Sequence, residues 1–233
     1  MPKIGNKEFW ASVEALSNTS PNGLMPKAEL KDVKASVATD GSMSIYIDDV
    51  VGGYFGLDAS SVVKAIHEGK GKSIKMFINS PGGSVFDGLS IYNAMQDHDA
   101  DIDIQVTGQA SSIASIIALG GKKKPTMRVG TRFMIHNASV VAGGDHRALR
   151  AVADIVESIS ADIVKIYVDA TGMDSKEVAD LMDKETFFSA EEASERGFAL
   201  LNTKEEPQNN STTDSARAEA LKVLINCQLQ AII

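Results

Sequence analysis

Residues 74–95 read IKMFINSPGGSVFDGLSIYNAM. The run Ile74–Ile78 is short, apolar and β-rich, so it predicts a buried strand. Pro81-Gly82-Gly83 follows as a tight turn, because proline presets one φ and glycine accepts conformations closed to other residues. Val85, Phe86, Leu89, Ile91 and Met95 then recur at roughly helical spacing. The stretch is a strand, a glycine turn and a helix.

The same unit repeats on either side. Upstream, Ser44–Val51 (SIYIDDVV) is β-rich, and Asp58 or Ser60 can cap a helix carrying Val62, Val63 and Ile66. Downstream, Ile102, Ile104 and Val106 alternate as a strand does, with an end expected at Thr107 and a turn at Gly108. Ser111–Leu119 predicts a short buried helix; TMRV at 126–129 and RFMI at 132–135 are two further strand pieces. Strands alternating with helices imply an α/β fold with a largely parallel sheet. In such sheets, sites form where the C-terminal ends of strands feed loops and helix N-termini.

Beyond this block, Asp145–Ala170 predicts one long helix. Leu149, Val152, Val156, Ile159, Ile163, Ile166 and Tyr167 form its apolar stripe, and Thr171-Gly172 ends it. The stripe suits either a core-facing surface helix or an arm against another subunit. Ser189-Ala-Glu-Glu192 is a capping box opening a helix that stops at Gly197. The expected organisation is a peripheral arm over 1–41, a main domain over 42–202, and a polar linker with a short apolar segment over 203–233. In the arm, Phe9, Trp10, Val13 and Leu16 could share one helical face.

Composition excludes several functions. The 233 residues include 23 Lys plus Arg against 31 Asp plus Glu, a net charge of −8, so no basic footprint meets nucleic-acid phosphates. The single cysteine, Cys227, excludes a disulfide framework, and His67, His98, His136 and His146 show no zinc-motif spacing. No signal peptide or membrane span is legible, so a cytoplasmic protein without membrane anchor, metal or cofactor is expected.

Three pieces carry chemistry. Gly108-Gln-Ala-Ser-Ser112 puts serines at a strand-to-helix turn, beside unpaired backbone N–H groups that favour a developing negative charge. His136 directly follows a strand, so it can reach the same sheet edge, and histidine is the side chain that suits a general base near neutral pH. The Ser80-Pro-Gly-Gly83 loop can bring its N–H groups close to a ligand.

In this order, Asn79-Ser-Pro-Gly-Gly83, Gly108-Gln-Ala-Ser-Ser112 and Met134-Ile-His136 resemble the ClpP family of serine peptidases. The likeness extends to Phe187-Phe-Ser-Ala-Glu-Glu-Ala-Ser-Glu-Arg-Gly197 and covers about residues 42 to 200. Met-Ile-His-Asn and Asp-Lys-Glu-Thr-Phe-Phe are most similar to the ClpP-like head maturation proteases of phages and prophages. The resemblance implies a ClpP/crotonase-like superhelix of ββα units with a long protruding helix. It implies Ser112 as nucleophile, with Ser111 its near neighbour, and His136 as base. Gly83 and Ile113 would supply oxyanion N–H groups. The acid would be Glu185, where the housekeeping members carry Asp, with Asp183 and Asp180 as rivals.

The resemblance further implies polypeptide substrates, capsid or scaffold proteins within a prohead, and a homo-oligomer of heptameric or stacked rings. It implies a chain that continues into a scaffold-like C-terminal part. The family's unfoldase-contacting N-terminal loop has no match in 1–41, and a head maturation protease needs no ATPase partner. The alternatives are a proteolytic subunit serving an ATPase, a silent ring or scaffold protein, and a crotonase-type acyl-CoA enzyme. The last would not need Ser112 and His136 aligned.

Overall fold

The structure is a computed structural model that describes residues 30–39, 41–53 and 56–203. The chain divides into two units, 1–202 and 203–233, and of the second only Thr203 is described. The helix expected around Phe9–Leu16 and the linker and apolar segment after residue 203 lie outside the described residues.

Among the described residues, eight strands form one mixed sheet: β1 (Lys34–Val37), β2 (Met43–Ile47), β3 (Ile74–Ser80), β4 (Ile102–Ser111), β5 (Thr126–Met127), β6 (Arg132–Ile135), β7 (Thr186–Ser189) and β8 (Leu200–Leu201). The order β1-β2-β3-β4-β5-β8 is parallel from β2 onward, and β1 returns antiparallel to β2. The sheet therefore begins upstream of residue 42. All four residues of β1 are exposed, which fits a peripheral edge.

Strand β4 forks. Its Gln105 and Val106 pair with β5, whereas Gln109–Ser111 pair in parallel with β6, which in turn pairs antiparallel with β7. The strand does not end at Thr107. Gly108 stays extended inside it, and its absent side chain leaves room for Asn79, whose Oδ1 would lie 2.3 Å from a Cβ there. The glycine read as a turn is instead a close approach between neighbouring strands.

Helices α1 (Ala59–Glu68), α2 (Val85–Gln96) and α3 (Ile113–Ala118) flank the parallel strands. Each sheet residue facing them is apolar and buried: Ile45 and Ile47, Met76 and Ile78, Ile104 and Val106. Val62, Ile66, Ile91, Met95 and Ile117 meet them from the helices. Each such aliphatic side chain contributes about 1.5–3 kcal/mol on burial. Lys75 and Asp103 alternate outward on the same strands, as a half-covered sheet requires. Asp58 caps α1 through Ser60 N–H, and Ser84 caps α2.

Helix α4 (His146–Thr171) is 26 residues long, capped by Asp145 and closed by Gly172 in the left-handed conformation at φ 77°. Only Ile163 and Tyr167 of its stripe are buried. Leu149 is 43% exposed, and Val152, Val156 and Ile159 are only partly covered. From Ile159 onward the helix packs on the core, with Ser160 Oγ accepting from Ala138 N–H, and its first turns are the more exposed part. Helices α5 (Ser175–Asp183) and α6 (Ala190–Glu195) complete the unit, the latter opened by the reciprocal Ser189–Glu192 capping box.

Candidate active site

Two parallel strands set the first contact. Ser111 of β4 sits opposite Met134 of β6, and Ser112 N–H donates to Met134 O at 3.0 Å. The chain leaves β4 at Ser112 and leaves β6 at His136, so both side chains emerge at one sheet edge. Their Oγ and Nε2 are 2.7 Å apart, within hydrogen-bond range. Ser111 is not part of this contact. Being 3% exposed, it is buried, and its Oγ donates to Gln109 Oε1 at 3.1 Å. The pleat sends adjacent residues to opposite faces, which separates the two serines.

The sharp turn falls on Ser112 itself, at φ 56° and ψ −130°. Its carbonyl accepts from Ser115 N–H at 3.0 Å and from Ser115 Oγ at 2.5 Å as α3 begins. Ser115 Oγ also lies 2.7 Å from Tyr167 Oη, and burial pushes the Tyr167 phenol well above its ordinary pKa. Sequence reasoning missed this link. Its only trace is a serine three residues after Ser112 and a tyrosine in the stripe of α4.

Gly82 and Gly83 complete the corner. Gly82 has φ 100°, and a Cβ on it would stand 2.6 Å from Ser112 Cβ and 2.7 Å from Ser111 O. Only glycine lets the loop lie this close. Gly83 is bridged to Val51: Val51 N–H donates to Gly82 O and Ser84 N–H donates to Val51 O, each at 2.8 Å. In a parallel bridge the alternate groups point the other way, so the Gly83 N–H is turned from Val51. Neither it nor the Ile113 N–H, at the first position of α3, donates to a described residue.

The carboxylate comes from the turn between α5 and β7. The antiparallel register pairs Ile135 with Thr186, so the next pair outward is His136 and Glu185. His136 Nδ1 and Glu185 Oε1 are 3.9 Å apart, an ion-pair separation longer than a hydrogen bond. The Glu185 side chain is 72% exposed against 22% for His136. Glu185 holds φ 48°; it and Ser112 are the non-glycine residues with positive φ among those described. The rivals are engaged elsewhere. Asp183 Oδ1 accepts from Asn137 Nδ2 at 2.7 Å, and Asp180 pairs with Lys176 at 2.9 Å, which holds its carboxyl below the usual range.

Among the described residues no group of three His, Cys, Asp or Glu side chains is placed to hold a metal ion. No described helix is long and apolar enough to cross a membrane.

The arrangement is a hydroxyl against an imidazole, a carboxylate on the far side of the imidazole, and, at Gly83 and Ile113, two N–H groups that donate to no described residue. A family model described as Clp protease matches residues 59–200. The ATP-dependent Clp protease proteolytic subunit of Bacteroides fragilis strain ATCC 25285 is 34% identical over 128 residues, 54% of this chain and 62% of that protein. The protein of the same description from Bacteroides fragilis strain YCH46 is 34% identical over 128 residues, 54% of this chain and 58% of its own length. The chain thus spans about three-fifths of the length of the curated relatives it matches. The matched segment runs from the start of α1 to the start of β8 and takes in Gly83, Ser112, Ile113, His136 and Glu185. The mixed sheet with flanking helices is consistent with the ClpP/crotonase fold, and with the model matching more than half of its residues, the chain belongs to the Clp protease family.

Proposed function

We propose that this chain is a serine endopeptidase working through Ser112, His136 and Glu185. The observation that carries the reading is the 2.7 Å contact between Ser112 Oγ and His136 Nε2. His136 takes the hydroxyl proton at Nε2 as Oγ attacks the peptide carbonyl carbon. The carbonyl oxygen becomes an oxyanion and accepts from the N–H groups of Gly83 and Ile113. The proton on Nε2 then passes to the departing amine, leaving an acyl group on Oγ. A water repeats the sequence and frees the acid. Glu185 stabilises the imidazolium from the Nδ1 side without taking its proton. Closure of the 3.9 Å gap to hydrogen-bond length on substrate binding completes the triad.

The test is labelling with an alkyl fluorophosphonate and mapping of the adduct by mass spectrometry. The expected result is one phosphonyl group on Ser112, abolished in His136→Ala. No adduct, or an adduct on Ser111, would overturn the assignment. It would favour an acyl-CoA enzyme or a silent ring component on the same fold.

The substrate proposed is polypeptide, and the biological setting is processing of phage capsid or scaffold proteins. Support comes from Met-Ile-His-Asn at 134–137 and Asp-Lys-Glu-Thr-Phe-Phe at 183–188, which resemble the head maturation branch. The matched relatives are described as ATP-dependent proteolytic subunits, so a partner ATPase is the competing arrangement. We further propose a ring, seven-fold by family resemblance. Its support is the N-terminal half of α4, whose stripe residues Leu149, Val152 and Val156 are left partly uncovered. Sedimentation should give a multiple of the chain mass, and Leu149→Glu with Val152→Glu should shift it toward the monomer.

A further inference from the structure

A second feature of the same corner bears on which peptide bonds it can cut. A cavity of about 10 Å³ adjoins Ser112, walled by Val85, Ile116, His136 and Ile163 and floored by Tyr167. A single water needs roughly 10–15 Å³ in this measure. The space therefore takes a group about the size of one methyl or hydroxyl.

The floor is held in place from three sides. Ile163 and Tyr167 stand one turn apart on α4, where that helix is anchored, at 5% and 1% exposure. The Tyr167 ring meets Phe198 edge-on, with centroids 5.8 Å apart. Its hydroxyl reaches Ser115 Oγ at 2.7 Å. Ser115 has one proton, and its 2.5 Å contact with the Ser112 carbonyl uses it. Tyr167 is then the donor to Ser115, and rotating its ring outward would break a buried chain of hydrogen bonds that ends on the nucleophile's own backbone. A larger side chain cannot enter by displacing Tyr167 alone.

Resting on the reading that Ser112 is acylated, we propose that this cavity receives the side chain on the acyl side of the scissile bond. Tyr167 restricts that side chain to glycine, alanine or serine. The acyl residue is the one that needs a pocket against Ser112. Its Cα is bonded to the carbonyl carbon and stays there throughout the acyl-enzyme, whereas the residue on the amine side departs. Ile113, which borders the cavity, also carries one of the N–H groups proposed to hold the oxyanion, so carbonyl and side chain are read by adjoining atoms.

The test uses peptidyl aminoalkyl diphenyl phosphonates that differ only in the acyl-side side chain: methyl, isobutyl or benzyl. Ser112 Oγ forms a bond to phosphorus, phenoxide leaves, and the hydroxyl proton passes through His136 Nε2 to the phenoxide. Each inactivation rate is divided by the rate of a short alkyl fluorophosphonate on the same variant, which needs no side-chain pocket. In the unmodified protein the methyl probe should react roughly ten- to two-hundredfold faster than the benzyl probe. Tyr167→Ala should bring the ratio to unity or below. Tyr167→Phe, which keeps the volume and loses the hydroxyl, should retain the methyl preference even where all rates fall. Ile163→Ala opens the neighbouring wall and should raise the isobutyl rate, which serves if Tyr167→Ala does not fold. Equal rates for methyl and benzyl probes, with Ser112 labelled by the fluorophosphonate, would overturn the specificity alone. A ratio unmoved by both alanine variants would do the same. Failure of the fluorophosphonate to label Ser112 would overturn the peptidase reading and the specificity with it.

Discussion

The imidazole of His136 has two neighbours, and they are built in different ways. On the Nε2 side lies a corner made of paired strands, a glycine loop packed against Ser112, and the buried Ser115–Tyr167 link. On the Nδ1 side lies Glu185, 72% exposed, at the end of a helix-to-strand turn and 3.9 Å away. One contact is fixed by sheet register and backbone hydrogen bonds, the other by the reach of a flexible side chain over water. In the proposed mechanism the nucleophile and its base are preorganised, and the acid has to close on them. Geometry of this kind concentrates catalytic cost in the nucleophile corner and leaves the acid as the adjustable part.

Substituting residues on the two sides should therefore give unequal losses. The largest is expected at Ser112: Ser112→Ala should lower kcat for peptide hydrolysis by about 10⁴–10⁶ with the thermal melt unchanged or raised. A melt that collapses would mean the corner depends on the hydroxyl for folding rather than for chemistry. Next comes the acid. Glu185→Gln should lower kcat by roughly 10²–10⁴ with KM little changed, since an amide can hold the wrong imidazole tautomer. Glu185→Asp should keep part of the activity. Asp183→Asn should be mild, because Asp183 pairs with Asn137 and not with His136. If the order of Glu185→Gln and Asp183→Asn were reversed in the same assay, the exposed turn would present a different carboxylate in the working state.

A smaller effect sharpens the same contrast without touching the ring. Ser189 closes β7, the strand that follows Glu185 and pairs with β6, and begins α6 with a reciprocal cap. Ser189→Ala should cost about 1 kcal/mol in denaturant melts. Its effect on the rate should exceed its effect on labelling of Ser112, since only the acid side is loosened. The cap is also sensitive to acid. Donation from Ser189 N–H holds the Glu192 carboxyl below its usual pKa. A depressed folded-state value means that its contribution is present above the unfolded pKa and is lost as pH falls through the folded one. Glu192→Gln, which removes the titrating carboxylate and keeps an acceptor for Ser189 N–H, should therefore lose less stability in acid than the unmodified chain.

Much of this arrangement was legible in local pattern. The alternation of Ile102, Ile104 and Val106, the stripe of α4 with its Gly172 close, and the Ser189–Glu192 box each report one element through its own period or cap. Ser112 and His136 could be assigned to one sheet edge because each follows a strand. What the sequence conceals is set by distant partners. Gly108 reads as a turn until Asn79 is placed beside it. β1 is fully exposed and β8 has two residues, so neither carries a burial pattern to read. The choice among Asp180, Asp183 and Glu185 depends on the register between β6 and β7, which no spacing within one segment encodes. Tyr167 looks like any other member of its stripe until its hydroxyl is seen against Ser115.

Ser112 and Glu185 both hold a positive φ, which an L side chain adopts at a cost of about 1–3 kcal/mol. Glycine would relieve the cost at either place, and asparagine would relieve part of it at Glu185. Either change would leave a sturdier protein in which the proposed chemistry is lost at Ser112 or weakened at Glu185. Where a lineage no longer relies on the chemistry, mutation alone should carry these two positions toward glycine or asparagine ahead of their neighbours. The residues found at 112 and 185 in related chains then become a test, without any assay, of which copies keep the proposed chemistry and which do not.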